Sequence, residues 1–135
     1  MSEYAKPLPE ITTLDRPFWD ATRRHELRLQ RCLDCRHIWF PAYANCPQCL
    51  STSYEWALMS GKGKVWSWVL FHRPYFRSFD LDVPYNVAYI ELDEGPKITS
   101  NIIDCPDEEI ACDMPVRVVF DDLTDEITLP RFTPA

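Results

Sequence analysis

Apolar and polar residues alternate along most of the chain after residue 25, which is the pattern of β-strands that bury one face. The first alternating run, residues 26–31, leads into Cys32, and residues 37–40 form a returning strand that ends at Pro41. After Cys49 the pattern predicts strand after strand. These strands cover residues 54–59, 64–71, 85–92, 97–103, 116–120 and 127–129.

Strict alternation in residues 64–71 predicts two opposite faces for this strand. Val65, Ser67 and Val69 lie on one face, and Trp66, Trp68 and Leu70 on the other. The segment 60–63 predicts a turn before the strand, because glycine supplies the backbone angles of a tight reversal. Residues 54–71 are therefore either one bent hairpin or one coiled first strand.

A helix is predicted to begin near Asp15, which can cap it, with Pro17 in the first turn. Residues 1–13 before it have no periodic pattern and predict an extended arm. Phe18, Trp19 and Thr22 share one face of the helix. They either pack on the chain's own core or contact a partner protein. The second alternative is considered because large aromatic side chains favour the cores of protein interfaces.

The last five strands, with a helical turn at residues 106–110 before the fourth, predict a small closed β-barrel of the OB-fold type. The fold class is therefore mainly β. The 135 residues are 46% apolar and include five Trp, six Tyr and seven Phe, which is enough for a globular core. We see no membrane span and no secretory signal, and expect a cytoplasmic protein.

The net charge of −7 is unevenly spread. Residues 78–135 hold three basic and fourteen acidic residues, so this half carries −11. Such a half repels nucleic-acid phosphates, and we expect no nucleic-acid partner. A solvated, soluble surface is the simplest interpretation of the acidic half.

Four cysteines form two pairs, Cys32-x2-Cys35 and Cys46-x2-Cys49, with ten residues between them. Each pair fits a tight turn that points two thiolates at one ion, and together they predict a tetrahedral structural zinc site. No coordination position is left for water, so the site is not catalytic. Iron in a rubredoxin-like centre, or four buried or disulfide-linked cysteines, are the alternatives. Glycine often follows the second cysteine of such a turn, but Arg36 and Leu50 stand there.

No other part of the sequence predicts a catalytic site. Cys105 and Cys112 lack a neighbouring base, and the histidines His25, His37 and His72 form no triad. Residues 71–79 are the one stretch that mixes positive charge with several aromatic side chains. This stretch is either a loop packed on the barrel or part of a basic patch that binds phosphates.

The ribbon motif with Phe40-Pro41 and Pro47 resembles the rubredoxin-like zinc ribbon of the DUF35 family. The resemblance continues through residues 61–67, 71–74, 84–85, 91–96, 114–116 and 129–132, in order, and so covers nearly the whole chain. The chain departs from the family pattern at two places. Arg36 and Leu50 replace the usual glycines of the ribbon, and Cys112-Asp113 replaces a common Ile-Gly.

The resemblance implies an N-terminal helical arm (residues 1–30), a rubredoxin-like zinc ribbon (31–52) and a five-stranded OB-fold barrel (53–135). It also implies a non-catalytic accessory subunit that docks on a thiolase-fold enzyme, such as a thiolase, an acyltransferase or a steroid side-chain retro-aldolase. The chain would help to bind or channel acyl-CoA, within a 2:2 heterotetramer by analogy with dimeric partners.

Two groups of residues are expected to serve this role. Residues predicted near the CoA or substrate are Lys62, Lys64, His72, Arg73, Tyr75, Phe76 and Arg77. Residues predicted to contact the partner are Phe18, Trp19 and Trp39. The alternative functions are a stand-alone acyl-CoA-binding module, a single-stranded nucleic-acid-binding OB-fold and a rubredoxin-like electron carrier.

Overall fold

The computed structural model describes residues 9–71 and 85–135. Its one α-helix, α1, spans Arg16–Arg23 and has proline in its first turn, as predicted. Asp15 occupies the N-cap position, but its carboxylate makes no cap hydrogen bond. It accepts instead from the backbone N–H and the hydroxyl of Thr12, at 2.7 and 2.8 Å. Asp15 therefore orders the turn that precedes the helix rather than the helix end.

The described residues form eight strands in two sheets. They are β1 (Arg28–Cys32), β2 (Ile38–Trp39), β3 (Tyr54–Leu58), β4 (Lys62–Phe71), β5 (Tyr85–Leu92), β6 (Lys97–Ser100), β7 (Pro115–Asp122) and β8 (Thr128–Pro134). A short 3-10 helix, Asp107–Glu109, precedes β7 at the predicted place. The predicted strands are therefore present, and the structure differs mainly in their ends.

The first sheet is the ribbon, with strand order β2-β1-β3, all antiparallel. Because β3 pairs with β1 along its whole length, residues 54–71 are neither a hairpin nor one coiled strand. The cross-strand pair Arg31 and Glu55 reinforces this register with an ion pair of 2.7 Å. The last strand of the ribbon sheet thus follows the four cysteines and leads directly into the barrel.

The second sheet has strand order β6-β5-β4-β7-β8 and curls into the half-barrel of an OB-fold. Its edges meet beyond β6, where Ile102 forms a parallel bridge with Phe132 of β8. The backbone N–H of Ile103 donates to the Phe132 carbonyl at 2.8 Å, and that of Phe132 donates to the Asn101 carbonyl at 3.0 Å. Phe132 is fully buried and fills the interior at this seam.

The predicted alternation of β4 is wrong, because the strand contains a β-bulge between Val65 and Ser67. The extra residue shifts the register, so Trp68 packs toward the same core as the fully buried Val65. Trp66 and Val69 consequently face outward, with 52% and 51% of their surface exposed. Periodicity alone does not reveal such an insertion.

One hydrophobic core joins the helix, the ribbon sheet and the barrel. Phe18 of α1 and Leu29 of β1 belong to the same buried cluster as Ile90 of β5 and Phe132 of β8. Full burial of side chains of this size stabilises the fold by roughly 1.5–3 kcal/mol each. This shared core fixes the position of the cysteines relative to the barrel.

Candidate metal centre and neighbouring cavity

The four predicted ligands converge on one point at the tip of the ribbon. Their Sγ atoms all lie within 4.8 Å of one another. The Sγ–Sγ distance is 3.5 Å between Cys32 and Cys49, and 3.6 Å between Cys35 and Cys46. A tetrahedral ion with metal–sulfur bonds of roughly 2.3 Å would place the sulfur atoms about 3.8 Å apart. The four thiolates therefore fit one ion without rearrangement.

The backbone of each turn supports this arrangement. The N–H groups of Asp34 and Cys35 donate to Sγ of Cys32, and the N–H of Gln48 donates to Sγ of Cys46, each at 3.4 Å. Ribbon turns of this kind direct backbone dipoles at the metal-bound sulfur atoms. The sequence prediction of two matching cysteine turns is confirmed.

The two residues that replace glycine adopt the conformation that glycine would. Arg36 has φ +70° and Leu50 has φ +66°, both in the left-handed region. Each follows its pair of cysteines and donates its backbone N–H to the first cysteine's carbonyl, Cys32 or Cys46. Asp113, at the position where the family commonly has glycine, likewise has φ +67°. The chain therefore accepts backbone strain at three positions to keep these turns.

Electrostatics explain why this cluster needs a cation. The N–H of Cys35 donates to Sγ of Cys32 and lowers the pKa of that thiol to about 6. The N–H of Ser51 also lowers the pKa of Cys49, but the neighbouring thiols, led by Cys32, outweigh it and raise the pKa to about 12. Four adjacent thiolates do not coexist near neutral pH without a positive charge between them. The residues fit a structural metal, with Cys32 and Cys46 fully buried beneath it.

A cavity of about 230 Å³ lies where the helix, the ribbon sheet and the barrel meet. We call it the junction cavity. Aromatic side chains dominate its wall, namely Phe18, Trp19, Trp39, Phe40 and Trp56, and residues 98–101 and 129–130 close it from the barrel side. Trp39 also packs against Cys32 and Cys46, so it connects the metal centre to the cavity.

The three residues predicted to contact a partner all line the junction cavity. Phe18 and Trp39 are only 6% and 4% exposed, because they pack inside the chain. In this conformation they offer little surface to another protein, and the contact prediction depends on the half-buried Trp19. Sequence reasoning missed Phe40 and Trp56 as neighbours of these rings, although aromatic residues on both sides of the cysteines were a visible signal.

The residues predicted near CoA are only partly described. His72, Arg73, Tyr75, Phe76 and Arg77 lie outside the described residues. Lys62 and Lys64 stand at the start of β4 and are exposed. The amine of Lys64 lies 3.5 Å from the Glu91 carboxylate and 3.7 Å from that of Asp113, so its charge is already compensated.

The described cysteines and histidines outside the ribbon tip form no catalytic pair. Burial, followed by the nearby Glu109 carboxylate, raises the pKa of the Cys105 thiol, which makes it a poor nucleophile. His25 stacks on Phe120 and contacts the Asp122 carboxylate at 3.0 Å. Within residues 9–71 and 85–135, no hydroxyl or thiol is hydrogen-bonded to a histidine ring. Outside the ribbon tip, none of the described cysteines is therefore activated by a neighbouring histidine.

Comparison with known proteins decides the family. The model described as "ChsH2, rubredoxin-like zinc ribbon domain" matches residues 19–55, and "ChsH2, C-terminal OB-fold domain" matches residues 56–121. A DUF35 domain-containing scaffold protein of Methanothermobacter thermautotrophicus is 34% identical over 105 residues, which are 77% of this chain and 78% of the relative. The chain belongs to the DUF35 family. The family resemblance and the predicted fold class are both confirmed.

Other relatives have names that refer to enzymes acting on CoA thioesters. A probable enoyl-CoA hydratase alpha subunit of Thermomonospora curvata is 34% identical over 96% of this chain. The benzoylsuccinyl-CoA thiolase subunit BbsA of Thauera aromatica is 28% identical over 73% of this chain and 68% of the relative. The chain spans only 40% of the length of the hydratase subunit.

A solved structure supports the same family assignment. It is entitled "Ltp2-ChsH2(DUF35) aldolase", and one of its chains superposes with a TM-score of 0.84 at 31% identity. The alignment covers 94% of this chain and 98% of that one. In the described part of this DUF35 chain, no helix is long and apolar enough to cross a bilayer.

Proposed function

We propose that this DUF35 chain is a non-catalytic accessory subunit that docks on a thiolase-fold enzyme acting on CoA thioesters. The observation that carries the proposal is the match to 98% of a chain in an aldolase whose title names two components, Ltp2 and ChsH2 (DUF35). The thiolase subunit BbsA supports a thiolase as another kind of partner. By analogy, two copies of each chain form the complex.

The partner carries the chemistry in this proposal. Acyl transfer and carbon–carbon bond cleavage need an activated nucleophile or a base beside the substrate. Outside the ribbon tip, the described residues contain no histidine ring paired with a thiol or a hydroxyl, because these rings contact only a carboxylate or an aromatic ring. This chain supplies surface and positioning instead.

Zinc is the metal we propose for the ribbon tip. Four thiolates without an open coordination position suit structural Zn²⁺, and the matching family model is described as a zinc ribbon. Iron is the alternative that four thiolates also accept. Elemental analysis distinguishes the two metals. One zinc atom per chain in a colourless protein supports zinc, and one iron atom per chain in a red protein supports iron.

An exposed aromatic pair on the outer face of the barrel is our candidate for the docking surface. Trp66 of β4 and Tyr89 of β5 meet edge to face, with 6.3 Å between ring centroids, and both are about half exposed. Val69 adds a third exposed apolar side chain, and the amine of Lys97 lies 4.7 Å from the Trp66 ring centroid. Exposed apolar groups of this kind commonly mark a protein interface.

The contacts to CoA in this proposal come from the basic residues predicted at the sequence level. Lys62, His72, Arg73 and Arg77 would face the CoA phosphates, since arginine matches phosphate oxygens with two donors. Tyr75 and Phe76 would lie against the acyl chain. A stand-alone acyl-CoA-binding module remains the competing hypothesis for the same residues.

A hydratase is the second candidate partner. The relative named as a probable enoyl-CoA hydratase alpha subunit aligns with 96% of this chain, but this chain spans only 40% of it. In this alternative the chain serves a hydratase rather than a thiolase-fold enzyme. The identity of the partner separates the two candidates.

Reconstitution tests the proposal. The chain alone should catalyse neither thiolysis, aldol cleavage nor hydration of CoA thioesters, and its addition to the purified partner should raise the partner's activity. Trp66→Ser should weaken that effect, whereas Leu58→Ser, at a side chain of similar exposure on the ribbon sheet (55%), serves as a matched control. Turnover by the isolated chain would refute the non-catalytic role.

A further inference from the structure

The two cysteine turns of the ribbon tip lie in separate parts of the chain, and a metal ion is not the only group that joins them. The first turn comprises residues 32–36 and the second comprises residues 46–50. A tetrahedral ion bonds to both turns, so it leaves only when the thiolates of at least one turn move away from it. Contacts that hold the turns to each other therefore influence how fast the ion is released.

Residues 51–53, which follow the second turn, contact both turns through their backbone. The Ser51 carbonyl accepts from the N–H of Cys46 at 2.9 Å, and the Ser53 carbonyl accepts from the N–H of Leu33 at 3.0 Å. A side-chain substitution leaves the groups that form these backbone bonds in place. The two bonds bring the segment beside the first turn, where its side chains can complete the connection.

The side chains of Ser51 and Asp34 complete this connection. The Ser51 hydroxyl donates to the Asp34 carboxylate, and its oxygen accepts from the N–H of Ser53 at 3.0 Å. The backbone N–H of Asp34 in turn donates to Sγ of Cys32 at 3.4 Å. A series of hydrogen bonds thus connects Cys32 in the first turn, through Asp34 and Ser51, to Cys46 in the second turn, and it does not pass through the metal.

We propose that the hydrogen bond between Ser51 and Asp34 holds the two cysteine turns together and so slows release of the metal ion, although neither side chain is a ligand. Cys49 is the most exposed of the four ligands, and it precedes Ser51 by two residues. A competing chelator therefore approaches the end of the site that this bond secures. A hydrogen bond to a charged group is strong enough to change a release rate by about tenfold. The inference requires a metal at the ribbon tip, but it depends neither on that metal being zinc nor on the accessory role.

The rate of metal release from the full chain tests this role. The zinc-loaded wild type and Ser51→Ala are mixed with an excess of a coloured chelator, and the rate at which the chelator takes up zinc is recorded. We expect Ser51→Ala to release zinc about tenfold faster than the wild type. Ser51→Thr, which keeps a hydroxyl, should release it at nearly the wild-type rate. Ser53→Ala is the matched control, because it removes an exposed hydroxyl two residues away and keeps the N–H that contacts Ser51.

A double variant separates the hydrogen bond from the charge of Asp34. Asp34→Ala removes the same bond at an exposed position, so the combination with Ser51→Ala should release zinc no faster than the faster single variant. Asp34→Ala also carries the test if Ser51→Ala does not fold. The cobalt-loaded variants should keep the absorption spectrum of the wild type, since all four sulfur ligands remain.

Three results would overturn the inference. They are wild-type release rates in the single variants, effects that multiply in the double variant, and a changed cobalt spectrum, which would place the effect on the ligands themselves. A wild-type chain that takes up no metal would overturn the metal centre, and this inference with it. Release at the wild-type rate from a variant that holds one metal per chain would overturn the inference alone.

Discussion

Replacing Leu50 by glycine should tighten metal binding, because Leu50 holds a left-handed backbone conformation in the ribbon. Its φ of +66° costs an L-residue roughly 1–2 kcal/mol. Glycine removes that strain but adds freedom to the unfolded chain, which costs roughly 0.5–1 kcal/mol. The Leu50 side chain is 73% exposed, so little packing is lost. The net gain is about 0.5–1 kcal/mol in favour of the folded ribbon.

Metal affinity is the right measurement for this change, because the ribbon and its metal form together. A gain of this size lowers the dissociation constant for zinc about two- to fivefold, measured by competition with a coloured chelator. Leu50→Ala is the control, since alanine keeps the Cβ atom and hence the strain, and it should bind zinc as the wild type does. A Leu50→Gly variant that binds zinc no better than Leu50→Ala would refute the reasoning.

Three further predictions concern stability. Gly61→Ala should lower the free energy of unfolding by about 2–4 kcal/mol in a urea titration, because its φ is +80° and an added Cβ would overlap Val118. Cys46→Ser should reduce bound metal well below one atom per chain and unfold the ribbon tip, as read by elemental analysis and near-UV circular dichroism. The Thr128 hydroxyl, and then His25, lower the pKa of Asp122. In the folded state, the Asp122 carboxylate therefore stabilises the chain at pH values above about 4, which is the pKa of an aspartate in the unfolded chain. Asp122→Asn should be destabilising at pH 6 but much less so near pH 3.

Two of these changes have a comparison within the chain. Gly95→Ala, where nothing lies within 4 Å of an added Cβ, should cost less than Gly61→Ala. Cys112→Ser, at an exposed cysteine outside the cluster, should keep one metal per chain. For Asp122→Asn, a stability difference that stays constant between pH 6 and pH 3 would contradict the pKa argument.

The sequence predicted the features that depend on local spacing. Two cysteine pairs ten residues apart are enough to define the metal centre, because each pair is a self-contained turn. The positions of Arg36 and Leu50 even indicated where the backbone would be strained, since glycine commonly stands there for a conformational reason. Alternation likewise located the strands.

Features that depend on distant residues were not predictable in this way. The bulge after Val65 changes the facing of Trp66 and Trp68, yet it leaves no trace in the alternation. β3 pairs with the distant β1, although the alternation fits a hairpin with the neighbouring β4 equally well. The junction cavity is built from the helix, the ribbon and the barrel together, so no single segment indicates it.

The central claim, that this DUF35 chain works as the accessory subunit of a thiolase-fold enzyme, is tested most directly by what it binds in its native host. The tagged chain should be purified at moderate salt, with and without crosslinking, and its co-eluting proteins identified and quantified by mass spectrometry. The account predicts a thiolase-fold protein in near-equal amount. A chain that elutes alone even after crosslinking, or with a hydratase in place of a thiolase-fold protein, would contradict it.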